Sequence, residues 1–207
     1  STASEWVSCC PWCGMGCFMA DKNTTRIEES VRKWLQSFVV DLNLCPFAAP
    51  IVQSDTLRIK LSESNQTDHI INDFLFELDL LQSCSAQDIA TTLLVVPNAL
   101  ADFDEYLDVV GIAEQLVSRA GLDAVVQLAS FHPNYLFADE PADGVSHFSN
   151  RAPYPIIHLL REDLVTDALA KFKQPERIPE TNIHTLESIG RTTIEARWQR
   201  LFSGDIG

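Results

Sequence analysis

The run Thr91-Thr92-Leu93-Leu94-Val95-Val96 constrains this chain more than any other stretch: it is β-prone and shows no polar alternation. A strand of that kind has no face to give to water, so it must lie in a sheet covered on both sides. The flanking residues supply the covers. From Asp68 to Gln82, Ile71, Phe74, Leu75, Leu78 and Leu81 recur at helical intervals. Asp102 is a helix N-cap by residue type, followed by Phe103, Tyr106, Leu107, Val110 and Leu116, with Gly121 just past the end. Thr56 to Leu61 alternates as a half-solvated strand, and Ala124 to Ser130 reads as a second buried one. Strands alternating with helices predict an α/β fold, a small βαβαβ-type layered sheet with packed helices in a single domain. The 207 residues suit one full core.

The ends of the chain read differently. Residues 1–18 hold four of the six cysteines and two of the four tryptophans, without a period. They are expected to be a Cys-rich extension outside the fold, with residues 19–207 forming the domain and Met19 reading as a natural start. Cys10-Pro11-Trp12-Cys13 has the Cys-x-x-Cys spacing but lacks the strand-to-helix context of redox sites. Thr25 and Glu28 have capping-box spacing ahead of a helix carrying Ile27, Val31, Leu35, Phe38 and Leu42, which ends before Pro46. Downstream, Phe137 to Pro155 reads as a long loop and Pro155 to Phe172 as a helix. A short helix over Thr181 to Ile189 stops at Gly190, and Thr192 with Glu195 opens a last one containing Trp198.

Charge excludes some partners. A formal charge of −14 repels phosphate backbones and anionic lipid surfaces, so neither nucleic acid nor membrane is expected. No apolar run approaches the roughly 20 residues of a membrane span. No basic start with an apolar h-region precedes the domain, so a cytoplasmic protein is expected. Neither GxGxxG nor a Walker-type loop occurs, so no nucleotide cofactor is expected. Oligomeric state is not legible.

Chemistry concentrates between His132 and Glu162. On a helix opened by Pro155, His158 and Glu162 fall one turn apart, on a stripe continued by Val165, Leu169 and Phe172. His132, just past a strand end, would then supply a third ligand. Two imidazoles and a carboxylate suit one divalent metal, iron or zinc, in a small metal-dependent enzyme acting on a small anionic substrate. The plainer alternative is a hydrogen-bonded His158–Glu162 pair with no metal. Arg151 and Arg161 bracket this segment; with Asn150 and Tyr154 they could clamp a carboxylate or phosphate by forked hydrogen bonds. Pairing with Glu140, Asp143 or Asp163 is the alternative for both.

Cys45 falls where the first helix ends, a position whose dipole disfavours thiolate, so a small buried residue is the simpler reading. The sharper one is a metal-free thiol enzyme with Cys45 as nucleophile and a histidine base. A non-catalytic module binding an anion or a protein is the third. His69 and His184 read as helix-surface residues with nothing to pair them.

Three motifs in order, Leu42-Asn43-Leu44-Cys45-Pro46-Phe47-Ala48, Gln127-Leu128-Ala129-Ser130-Phe131-His132-Pro133, and Asn150-Arg151-Ala152-Pro153-Tyr154-Pro155 with His158-Leu159-Leu160-Arg161-Glu162, carry a resemblance. Over about Thr25 to Gly190 the chain resembles the bacterial family known as domain of unknown function 1415. The resemblance implies a soluble cytoplasmic domain and no mechanism. It marks Cys45, His132, Asn150, Arg151, His158, Arg161 and Glu162 as signature residues.

Overall fold

A computed structural model describes residues 22–202; the Cys-rich segment 1–18 and Met19 lie outside the described residues. The doubly buried run becomes β2 of a four-stranded sheet built from β1 (Leu57–Leu61), β2 (Thr91–Val95), β3 (Val126–Phe131) and β4 (Ile156–Arg161), in the order β1-β2-β4-β3. β1 and β2 are parallel, and β4 runs antiparallel to both β2 and β3. The first three strands therefore point one way, as a βαβαβ unit demands, and the fourth is threaded back between the second and third. The protein is a single α/β domain.

Here the sequence reading is corrected. Residues 156–161 are a strand, and only Glu162–Leu169 is helical (α5). Ile-Ile-His-Leu-Leu-Arg is a short apolar run whose period fits a buried strand as well as a helix. Tertiary context decides between them. β2 and β3 each have a main-chain edge that only a strand between them can satisfy, because buried N–H and C=O groups must be paired. β4 does this for both, setting His158 opposite Leu93 on one side and Ala129 on the other.

Alternation along the strands builds two cores. α3 (Thr67–Ser83) and α4 (Phe103–Arg119) cover one face, burying Phe74, Leu78, Tyr106 and Val110 against Leu94, Ile157 and Leu159. Leu75 and Leu107, expected on the inner stripes, are exposed, and their neighbours Ile70 and Val109 are buried instead. The other face is covered by α1 (Lys22–Trp34) and its π-helical continuation Leu35–Val40, with α6 (Ile178–Ile189) and α7 (Arg191–Arg200) packed alongside. Trp34 meets Phe131 edge-on at 5.2 Å, and Phe38, Phe148 and Trp198 form an aromatic triangle. Gly190, predicted as a helix stop, takes φ +83 there. No helix among the described residues is long and apolar enough to cross a membrane.

One α4 side chain ties the two halves of the sheet together. The Tyr106 hydroxyl donates to the Ile156 carbonyl at 2.7 Å and accepts from Phe131 N–H at 2.9 Å, bridging β4 and β3 where their ladder ends. Burial raises its pKa far above the usual phenol range, so it stays protonated and can serve both partners. Tyr106→Phe leaves a buried donor and a buried acceptor unpaired and is expected to lower unfolding free energy by about 1–3 kcal/mol in urea titrations. A change below about 0.5 kcal/mol would show that the bridge carries no net stability.

Candidate functional site

The carboxyl ends of β1, β2 and β3 share one edge of the sheet, where ligands sit in open α/β folds. The segment 132–155 crosses this edge before entering β4, and it carries most of the predicted residues. Asn150 fastens it: its side-chain amide donates to Ser130 O, its carbonyl accepts from His132 N–H, and its side-chain oxygen accepts from Ser149. Asn150 is thus engaged with the chain itself.

His132 is fully buried beside the Phe103 and Tyr106 rings. Nε2 donates to Leu100 O at 2.9 Å and Nδ1 accepts from Asn134 N–H at 3.0 Å. Both ring nitrogens are spent, which requires the neutral Nε2–H tautomer and leaves no lone pair for a metal. Burial lowers its pKa, partly offset by the Leu100 carbonyl and the Asp102 charge. Leu100 itself sits at φ +58, a left-handed backbone uncommon for leucine. His147 repeats the arrangement: Nε2 donates to Pro141 O at 2.8 Å and Nδ1 accepts from Phe137 N–H at 3.1 Å.

His158 differs. Thr91 Oγ1 donates to Leu159 O at 2.7 Å, so at 2.7 Å from His158 Nε2 it acts as acceptor, and the ring is again the Nε2–H tautomer. Nδ1 has no hydrogen-bond partner among the described residues. The residue keeps some accessible surface but its ring is crowded by protein, and desolvation pushes its pKa down to about 4. Thr91 was read only as strand-forming; its pairing depends on the β2–β4 register, which the sequence does not display.

The expected His132–His158–Glu162 ligand set is not assembled. His158 lies within a strand, whereas Glu162 opens α5 beyond the strand's end, where Oε1 accepts from Thr166 at 3.4 Å. Among the described residues no three His, Cys, Asp or Glu side chains come together as a metal site. Nor do the two arginines bracket one site. Arg161 reaches the α3 side, donating to Ile89 O, Leu81 O and Cys84 O at 2.6–2.9 Å. There it caps the end of α3, where a cation complements the exposed carbonyls.

Arg151 remains. Its guanidinium lies over the Phe148 ring at 4.7 Å, and Nε reaches Tyr135 O at 3.4 Å. Neither terminal nitrogen has a hydrogen-bond partner among the described residues. Desolvation and the neighbouring Arg191 lower its pKa, with Glu195 acting the other way. Glu195 is held by Arg191 at 2.7 Å. Tyr154 packs half-buried against the α1-side core.

Cys45 lies in the turn that ends the first helix, close before α2 (Ala48–Val52). Burial raises the thiol pKa, outweighing the Phe47 and Ala48 main-chain N–H groups that favour thiolate. Asn182 of α6 donates to Leu44 O and holds this turn in place. At the β1 end of the same sheet edge the sequence reading missed a polar cleft of about 510 Å³, lined by Lys60, Glu63, Ser64, His69, Asn72 and Asp73. His69 does find company there, with Nδ1 3.3 Å from Ser64 Oγ.

Fold and site together define a mixed-sheet α/β domain whose polar signature residues mostly brace main chain around one uncompensated arginine. The chain belongs to the DUF1415 family, described as a protein of unknown function, whose model matches residues 26–196. No curated protein and no solved structure matches the chain.

Two outcomes follow from these geometries. His158 has a folded pKa below the roughly 6.5 of an unfolded imidazole. Its neutral form therefore supports the fold fully above about pH 6.5, and that support is lost as pH falls through 6.5 toward 4. Unfolding free energy measured across that window should fall with a shallower slope in His158→Gln; an unchanged slope would remove His158 as a contributor. Cys45 should react with iodoacetamide at pH 7 more slowly than free cysteine, and fast labelling there would restore the thiol as a nucleophile.

Proposed function

We propose that the domain binds a small anion, a carboxylate or phosphate group, through Arg151. The observation carrying this reading is a half-buried guanidinium that, among the described residues, has two terminal nitrogens without a hydrogen-bond partner and no carboxylate within ion-pair distance, in a protein of formal charge −14. A partly desolvated cation is costly unless compensated, and a planar fork with two open N–H groups matches two oxygens of one anion. The Phe148 ring holds the guanidinium plane in place, so little freedom is lost on binding.

A catalytic extension of this reading has one side chain to use. His158 offers a neutral, tautomer-fixed lone pair suited to accepting a proton, while His132 is saturated and the Cys45 thiol is held in its protonated form. This reading uses neither iron nor zinc, because the donors among the described residues do not form a ligand set.

The test is a calorimetric titration with inorganic phosphate and with acetate at low ionic strength. Binding is expected to weaken at least tenfold in Arg151→Gln and to persist in Arg200→Gln, which removes the same charge from an exposed site. Equal losses in both variants would reduce the effect to overall charge. No binding of either anion up to millimolar concentrations would end the proposal.

A further inference from the structure

We propose that His132, on a segment that His147 also ties, forms an acid-released clasp over residues 132–155, so that the anion site is assembled only while the His132 imidazole is neutral. The inference rests on the Arg151 reading for its consequence, and on geometry alone for the clasp. Between β3 and β4 the chain runs 24 residues with one short 3-10 turn, Val145–Ser149, as its regular structure. Such a segment needs other ties to stay in place.

The two imidazoles provide them in the same way. His132 joins Leu100 O to Asn134 N–H, and His147 joins Pro141 O to Phe137 N–H. Both residues are fully buried. The His147 carbonyl also accepts from the Asn150 and Arg151 amides, and His132 N–H donates to Asn150 O, so both clips connect directly to the backbone of Arg151. In each ring Nδ1 must be an acceptor. A proton added at His132 Nδ1 places N–H against the Asn134 N–H at about hydrogen-bond distance, turning that tie into a repulsion inside a water-poor site.

The charges around the two rings do not remove this effect. Near His132 stand Asp102, an exposed N-cap already accepting from Asp104 and Glu105 N–H, and the side chains of Tyr106 and Tyr135. Near His147 stand Glu140, bound by Ser146, and the Asp143–Arg191–Glu195 chain from α7. Asp139, and Glu180, His184 and Glu187 of α6, are exposed. None of these carboxylates hydrogen-bonds either imidazole among the described residues, so no built-in acceptor waits for the new proton.

Hydrogen–deuterium exchange of the full chain, corrected for intrinsic pH dependence, tests the clasp between pH 7.5 and 5. Peptides spanning 133–151 should lose protection by up to tenfold per pH unit as pH falls below about 6.5, while peptides over β2 and β3 stay protected. Phosphate affinity should fall across the same window. In His132→Gln, whose side chain does not titrate, protection of the segment should be lower at pH 7.5 and its acid dependence lost. Simultaneous loss of protection in segment and sheet, or a wild-type pH profile in His132→Gln, would overturn the clasp. Acid opening of the segment in a protein that binds no phosphate at pH 7.5 would support the clasp and defeat the Arg151 reading alone.

Discussion

The antiparallel insertion of β4 between β2 and β3 is the constraint on which the rest of the domain depends. Two parallel strands brought together by the α4 crossover leave a gap one strand wide, and each presents main-chain groups that cannot stay unpaired under covering helices. Filling the gap from the far end of the chain forces the connecting segment to cross the carboxyl edge of the sheet. It also fixes which face each residue of 156–161 takes. His158 goes to the α1 side with Thr91, while Arg161 goes to the α3 side and caps that helix.

The polar groups are organised by neutrality more than by ion pairing. His132, His147 and His158 each donate through Nε2, and burial favours the uncharged ring in His132 and His158. The one deeply buried carboxylate among the described residues, Glu77, is matched by a bidentate Arg58 at 2.6 and 2.9 Å. Bidentate geometry of this kind can offset the cost of desolvating both partners. Against that background Arg151 stands out: its neighbour Glu195 is engaged elsewhere, so the local charge is left open.

Much of the scaffold was legible, because it follows from local rules. The continuous apolar text of Thr91 to Val96, the Asp102 cap that accepts from Asp104 and Glu105 N–H, and the stop at Gly190 all appear where the pattern placed them. The helix proposed from Pro155 failed for a physical reason. Ile156 to Arg161 satisfies a period of 2 and a period of 3.6 over so few residues that only the vacant slot beside β2 separates them. With that helix went the His158–Glu162 pairing and the metal site built on it.

What the residue order determined alone is the α/β class, the Asp102 start of α4 and the glycine stops at Gly121 and Gly190, and the concentration of polar side chains between His132 and Glu162. These depend on periodicity and on contacts within a few residues. The capping boxes at Thr25 and Thr192 fall inside helices that begin at Lys22 and Arg191. What only the tertiary structure decided is which of those side chains are free. Whether an imidazole or guanidinium is spent on main chain or left open depends on partners as much as 80 residues away, such as Leu81 for Arg161 and Thr91 for His158. Those partners meet only once strand register is set, and register is a property of the assembled sheet.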